Sequence, residues 1–181
     1  MNKVVLGLVA AMALGNVAIA GDNMKDLRTP VIEERVETET SLFRDNETSF
    51  DVFGLYVGAI DRGVIRDGFG GGIGMNHFFT RHFGVGIEGD IWENNDDVAG
   101  NANASLIARY PMEFLGQALA PYIFGGGGAV FAGGPEASGH GGGGLEWRFN
   151  HNWSVFGDGR YVVVDNLNDY AMGRGGLRWI F

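Results

Sequence analysis

The chain has 181 residues, a formal net charge of −9, 32 glycines, four prolines and no cysteine. The negative charge argues against binding to a phosphate backbone, so nucleic acid is excluded as a partner. Because no disulfide can form, the fold must depend on burial and on backbone hydrogen bonds.

Residues 1–20 have the features of a cleaved signal peptide. One lysine precedes a short apolar stretch, and Ala18-Ile19-Ala20 provides a small-x-small cleavage site. The alternative, a transmembrane helix, would need a longer apolar stretch, and no later part of the chain has one. We therefore expect export with cleavage after Ala20.

Residues 21–48 form an acidic segment that is almost free of aromatic side chains. Such low hydrophobicity favours a flexible segment. A short helix beginning at Thr29-Pro30 is the alternative, since proline is favoured in the first turn. The composition changes after this segment, and a single folded domain is expected over residues 49–181.

Eight short segments with alternating side chains follow, separated by turn residues. They lie at residues 49–61, 68–79, 83–92, 101–110, 120–131, 139–149, 153–163 and 170–181. Each is long enough for a tilted strand to cross a bilayer. Acidic connectors alternate with less acidic ones that aromatic residues flank. This alternation predicts an all-β, eight-stranded antiparallel up-and-down transmembrane barrel with its acidic loops at one end.

In most of these segments one face is apolar and the other carries charge. Ile87 and Ile91 lie opposite Glu88, and Leu177 and Trp179 lie opposite Arg178. A membrane barrel shows its apolar face to lipid and encloses the other face.

The charged face uses arginine and carboxylates, and the chain has no lysine beyond Lys3 and Lys25. Guanidinium groups suit enclosed, multiply hydrogen-bonded ion pairs. We therefore predict a structural ion network in the lumen. Its predicted members are Glu88, Asp90, Arg109, Glu146, Arg148, Asp158, Arg160, Arg174 and Arg178. Inward-facing glycines at 70–72 and 125–128 are our hypothesis for how a narrow barrel makes room for these side chains.

The last seven residues, GGLRWIF at 175–181, resemble the terminal strand of bacterial outer-membrane barrels. Across residues 50–181 the pattern is similar to the small barrels of the OmpA/OmpX and opacity-protein type, including a Pro121-Tyr122 entry into a glycine-rich strand. The resemblance implies a barrel surrounded by outer-membrane lipid. It also implies handling by periplasmic chaperones and by the outer-membrane assembly machinery, with Phe181 as the assembly signal. We expect a monomer.

Some outer-membrane barrels modify lipid A, so an enzyme is one alternative. His140 and Ser154 are the candidate base and nucleophile, but they are predicted at different heights in the barrel. We therefore expect no catalytic residue and no cofactor, and a structural or surface-interaction role. A narrow pore is the other alternative, although an eight-stranded barrel is just wide enough for side chains. The acidic residues 93–97 lack the spacing of a dedicated calcium site, so no metal is expected.

Overall fold

The structure is a computed structural model that describes residues 42–95 and 97–181. Its strands are β1 (Glu47–Ala59), β2 (Gly68–Phe78), β3 (Phe83–Asn94), β4 (Asp97–Arg109), β5 (Met112–Phe114), β6 (Gln117–Phe131), β7 (Pro135–Arg148), β8 (Trp153–Val164) and β9 (Tyr170–Ile180). The described residues contain no helix that is long and apolar enough to span a membrane. The predicted signal peptide, residues 1–20, and residues 21–41 of the acidic segment lie outside the described residues.

The sheet closes on itself. Each long strand pairs antiparallel with its neighbour along the chain, β4 pairs with β6, and β1 pairs with β9. The β1–β9 seam is continuous from the pair Ser49–Ile180 to the pair Ala59–Tyr170. The prediction of a closed eight-stranded antiparallel barrel is therefore confirmed. The three-residue strand β5 pairs only with the first residues of β6 and lies outside the ring.

The two ends of the barrel differ in their connections. β1 begins and β9 ends at one edge, which we call the terminal rim, together with the turns at 79–82 and 149–152 and the connection at 110–116 that contains β5. The opposite edge, the loop rim, carries the connections at 60–67, 132–134 and 165–169, together with Asn95 after β3. The predicted acidic connectors thus lie together at the loop rim.

Four strands begin earlier than predicted, and one of them is β6, which begins at Gln117 rather than at Ala120. β1 begins at Glu47, a residue that was predicted to belong to the acidic segment. β4 begins at Asp97 and β7 at Pro135, each four residues before the predicted start. At β4 the reason is a tight connection: Asn94 pairs with Asp97, and Asn95 takes a positive φ of 63°. Residues with loop-like composition therefore continue the hydrogen-bonded ladder, because the neighbouring strand supplies their partners.

Side chains alternate strictly between the lumen and the outer surface. On β3, Ile87 and Ile91 are more than 60% exposed on the outside, whereas Trp92 is 1% exposed inside. The inward-glycine hypothesis holds for Gly72, where an added Cβ would come 2.6 Å from the Phe53 ring. Alternation puts its neighbour Gly71 on the outer surface. A run of glycines therefore contributes residues to both the lumenal face and the outer surface of its strand.

Candidate functional site: the ion clusters of the lumen

A cluster of six charged residues fills the terminal half of the lumen. Its members are Glu47, Asp51, Arg109, Glu146, Arg148 and Arg178, and we call it the terminal cluster. Three carboxylates face three guanidinium groups, so the cluster is electrically balanced. All six side chains are buried. Balance matters here because an unpaired charge in such an enclosed site would be costly.

Glu146 lies at the centre of the terminal cluster. It accepts hydrogen bonds from Arg148 Nε and Arg178 Nη1, each at 2.6 Å, and from the Ser154 hydroxyl at 3.1 Å. Arg109 Nη1 lies 3.8 Å from the same carboxylate. The strands β4, β7, β8 and β9 are thus connected through one buried carboxylate.

Four other residues form the middle cluster: Glu88, Asp158, Arg160 and Arg174. Both arginines donate hydrogen bonds to Glu88. Arg174 Nε also donates to Asp158 at 2.6 Å, and the Tyr122 hydroxyl donates to the other Asp158 oxygen at 2.7 Å. Two carboxylates again balance two guanidinium groups, which satisfies each charge locally.

Aromatic rings cover the guanidinium groups within the lumen. Arg160 lies 4.9 Å from the centroid of Phe124, and Arg174 lies 4.8 Å from that of Phe53. A planar guanidinium can stack on a ring while it donates in its own plane to carboxylates, which an ammonium group cannot do. This geometry gives a physical reason for arginine rather than lysine at these positions.

Asp90 was predicted in the network, and the structure corrects that prediction. Its carboxylate is 4% exposed and accepts a hydrogen bond from Asn101 Nδ2 at 3.0 Å. No guanidinium of the described chain lies within ion-pair distance of it, and its Oδ2 has no hydrogen-bond partner. The physical reason is that Arg160 and Arg174 both turn to Glu88, two residues away on the same face of β3.

Glu47 and Asp51 belong to the terminal cluster but were not among the predicted members of the network. Glu47 was assigned to the acidic segment, and Asp51 was left out of the predicted network. The signal was nevertheless present, because Glu47, Ser49 and Asp51 alternate with the outward residues of β1. The other eight predicted residues all take part in one of the two clusters.

An apolar cap closes the loop end of the lumen. Its buried side chains include Val57, Ile65, Trp92, Val130, Val162, Val164, Tyr170 and Met172. Ile65 belongs to the β1–β2 loop and is fully buried. Two asparagines hold that loop in place: Asn168 bonds the backbone of Ile65 in both directions, and Asn94 bonds those of Val64 and Arg66.

The candidate catalytic pair of the sequence analysis is not formed. Ser154 bonds Glu146, whereas His140 Nε2 lies 2.8 Å from the Ser105 hydroxyl. The other ring nitrogen of His140 has no partner, so no third group orients it as a base. Within residues 42–95 and 97–181, no group of three or more histidine or acidic side chains is arranged to hold a metal ion.

These features define the chain as a closed β-barrel with charges enclosed and an apolar outer surface. No protein-family model and no curated protein matches its sequence. Its fold is that of small outer-membrane barrels. It is similar to the N-terminal β-barrel domain of OprF from Pseudomonas aeruginosa, with 16% identity, a TM-score of 0.57, and coverage of 76% of this chain and 99% of that one.

Two further solved structures share this fold. Ail, the attachment invasion locus protein of Yersinia pestis, is 15% identical with a TM-score of 0.50, covering 76% of this chain and 99% of that one. A de novo designed transmembrane β-barrel is 10% identical with a TM-score of 0.54, covering 76% and 97%. At these identities the similarity establishes the fold alone.

Proposed function

We propose that the protein is an exported outer-membrane β-barrel with a structural or surface-interaction role. One observation carries this proposal: large apolar side chains cover the outside of the barrel, while ten paired charges lie within it. Exposed residues on the outer surface include Val52, Phe69, Ile73, Phe83, Ile87, Ile91, Leu106, Ile123, Leu145, Val163 and Leu177. Such an apolar exterior is unfavourable in water and suits hydrocarbon.

Aromatic residues at both edges of the apolar surface support a membrane position. Trp153, Trp179 and Phe181 are exposed near the terminal rim, and Tyr56 and Phe69 are exposed near the loop rim. Rings of this kind favour the two interfaces of a bilayer. Together with the signal-peptide features of residues 1–20, they support a periplasmic terminal rim and a loop rim at the cell surface.

In this proposal, the ion clusters have a structural role in the lumen. They join distant strands and fix register. A cavity of about 20 Å³ lies between the clusters, and its lining includes Asn76, Glu88, Arg109 and Arg178. That volume holds one water molecule, which argues against bulk diffusion through this part of the lumen.

The same enclosure argues against lipid A modification at the Ser105–His140 pair. Ser105 lies on the lumenal face of β4, between the inward residues Asn103 and Ile107, so a lipid chain on the outside of the barrel would not reach it. We therefore propose a role without catalysis and without a cofactor. Any surface partner would meet the short acidic loops of the loop rim.

We further propose that the monomer reaches the membrane through periplasmic chaperones and the assembly machinery, which would recognise the last strand. Phe181 continues the pairing of β9 with β1, since its N–H donates to the Thr48 carbonyl at 2.9 Å. Its ring is exposed on the outer surface. This position suits an aromatic end signal that stays accessible until the seam closes.

The test is membrane fractionation followed by gel electrophoresis with and without heating. We expect the protein in outer-membrane fractions, with a folded form that migrates differently from the heated form. Cleavage after Ala20 would be read from the mass of the mature chain. Recovery in a soluble fraction would contradict the proposal, as would migration that heating does not change.

A further inference from the structure

A short segment of the chain lies across the terminal rim before β1 begins. Phe43 is 4% exposed there, and its ring centroid lies 4.0 Å from the guanidinium carbon of Arg148 and 4.9 Å from that of Arg109. Arg109 in turn lies 3.6 Å from the ring centroid of Phe78. One guanidinium thus contacts two aromatic rings, and a second guanidinium also contacts the Phe43 ring.

Polar contacts hold the same segment on both sides of Phe43. Arg148 Nη1 donates to the Leu42 carbonyl at 2.8 Å and to Glu47 Oε2 at 2.9 Å. The Arg81 N–H donates to the Asp45 carboxylate at 2.6 Å. Arg44, by contrast, has an exposed side chain. The segment is therefore bound through the Leu42 carbonyl, the Phe43 ring and the carboxylates of Asp45 and Glu47.

The residues that bind this segment come together only in the folded barrel. Phe78 ends β2, Arg81 lies in the following turn, Arg109 ends β4 and Arg148 ends β7. These positions are distant in sequence and meet at one rim. The binding site is therefore a property of the closed barrel rather than of the segment itself.

We propose that the terminal rim is a peptide-binding socket for an aromatic residue followed by a carboxylate, filled in cis by residues 42–47. Phe78, Arg109 and Arg148 form the socket. Cation–π contact recognises the ring, and charge-assisted hydrogen bonds recognise the carbonyl and the carboxylate. Because the segment runs directly into β1, its effective concentration at the socket is high. Within this segment, residues 42–45 act as a plug above the terminal cluster, and Glu47 connects the plug to that cluster.

The cysteine-free chain allows a direct accessibility test of the plug. Ser154 is fully buried. It lies next to the socket because it is the partner of Arg148 in the β7–β8 ladder. In the full-length folded protein in detergent, Ser154→Cys would be treated with a small methanethiosulfonate reagent. We expect slow modification with Phe43 intact and a rate increase of about tenfold or more with Phe43→Ala, because local opening then exposes the thiol.

Arg44→Ala is the matched control for this experiment, since it changes the neighbouring exposed side chain. Modification should stay slow in that variant. Equal rates for the Phe43→Ala and Arg44→Ala proteins would overturn the plug. If Phe43→Ala loses heat-modifiable migration, Phe43→Leu replaces it, and an intermediate rate is expected because bulk is kept and the ring is lost.

A second arm tests peptide recognition separately. N-acetylphenylalaninamide is added to the folded protein that carries both Ser154→Cys and Phe43→Ala. It should slow modification of the thiol again, because it supplies a ring with an adjacent carbonyl. N-acetylalaninamide at the same concentration should not. Failure of the aromatic probe to slow modification would overturn the peptide-binding assignment. Both arms use folded protein in detergent, so their failure is distinguishable from failure of the outer-membrane assignment, which fractionation tests.

Discussion

Arg178 on the last strand holds Asp51 on the first strand with two hydrogen bonds of 2.7 Å each. The two residues are also direct partners in the β1–β9 ladder. The fork of the guanidinium matches both carboxylate oxygens, so the pair fixes the register of the strands that close the barrel. Arg178 Nη1 donates as well to Glu146, which connects the seam to the rest of the terminal cluster.

Replacing Arg178 is expected to weaken the closing seam. Arg178→Ala leaves Asp51 and Glu146 buried without this partner, and breaking such a buried pair costs about 3–5 kcal/mol. Arg178→Lys should lose part of this stability, because an ammonium group cannot form the two-pronged contact. The measurement is the temperature at which the folded band disappears on a gel. Arg62→Ala, at an exposed loop-rim position, is the control, and an equal loss in that variant would contradict a structural cluster.

Two carboxylates on β3 should respond differently to neutralisation. Glu88→Gln removes the shared partner of Arg160 and Arg174, and a loss of about 3 kcal/mol is expected. Asp90→Asn keeps the shape and an oxygen acceptor for Asn101 while it removes a carboxylate outside ion-pair distance, so a change within about 1 kcal/mol is expected. Urea unfolding in lipid vesicles would compare the two. A larger loss for Asp90→Asn would show that Asp90 is an essential member of the network.

Glycines on opposite faces of β7 provide a packing test. An added Cβ at Gly144 would come 2.4 Å from Asp158 Cβ and 2.8 Å from the Tyr122 hydroxyl. Gly144→Ala should therefore cost about 1–3 kcal/mol through overpacking of the lumen. At Gly141, which faces outward, the nearest atom is 3.8 Å away. Gly141→Ala should be tolerated in the same unfolding assay, and equal costs would contradict the assigned faces.

Asn168 should control the order of the β1–β2 loop. Its side chain accepts from the Ile65 N–H at 2.9 Å and donates to the carbonyls of Ile65 and Asp61. Asn168→Ala removes all three contacts, and we expect faster trypsin cleavage after the exposed Arg62 and Arg66, because local opening of a loop exposes its backbone to a protease.

Asn168→Asp separates the hydrogen bond that this side chain accepts from the two that it donates. It keeps the acceptor for Ile65 and loses the two donated hydrogen bonds, so intermediate cleavage is expected. Asp165→Ala, which changes an exposed side chain in the same β8–β9 connection, is the control. Cleavage is followed by mass spectrometry of folded protein. If trypsin cleaves the β1–β2 loop of the Asn168→Ala protein no faster than that of the wild type, Asn168 does not hold this loop in place.

The sequence predicted the barrel because one signal was repeated many times. Alternation of apolar and charged residues appears in most strands, and the connectors alternate in acidity in step with it. Several strands also had a usable end signal, such as the turn residues around Thr80 and Asn150. Errors at the starts of β4 and β7 arose because Asp97 and Pro135 have loop-like side chains, while a neighbouring strand offered their backbones hydrogen-bond partners.

The sequence by itself determined which face of each strand is charged, since side-chain direction follows directly from the two-residue period of a strand. Only the tertiary structure decided which charges meet. How far each strand is shifted against the next decides three things. It divides the charges into a terminal and a middle cluster, it leaves Asp90 outside both, and it brings Phe43 against Arg109 and Arg148. That stagger is set when the ring closes, because β1 must then satisfy β2 and β9 at once, and no local pattern specifies it.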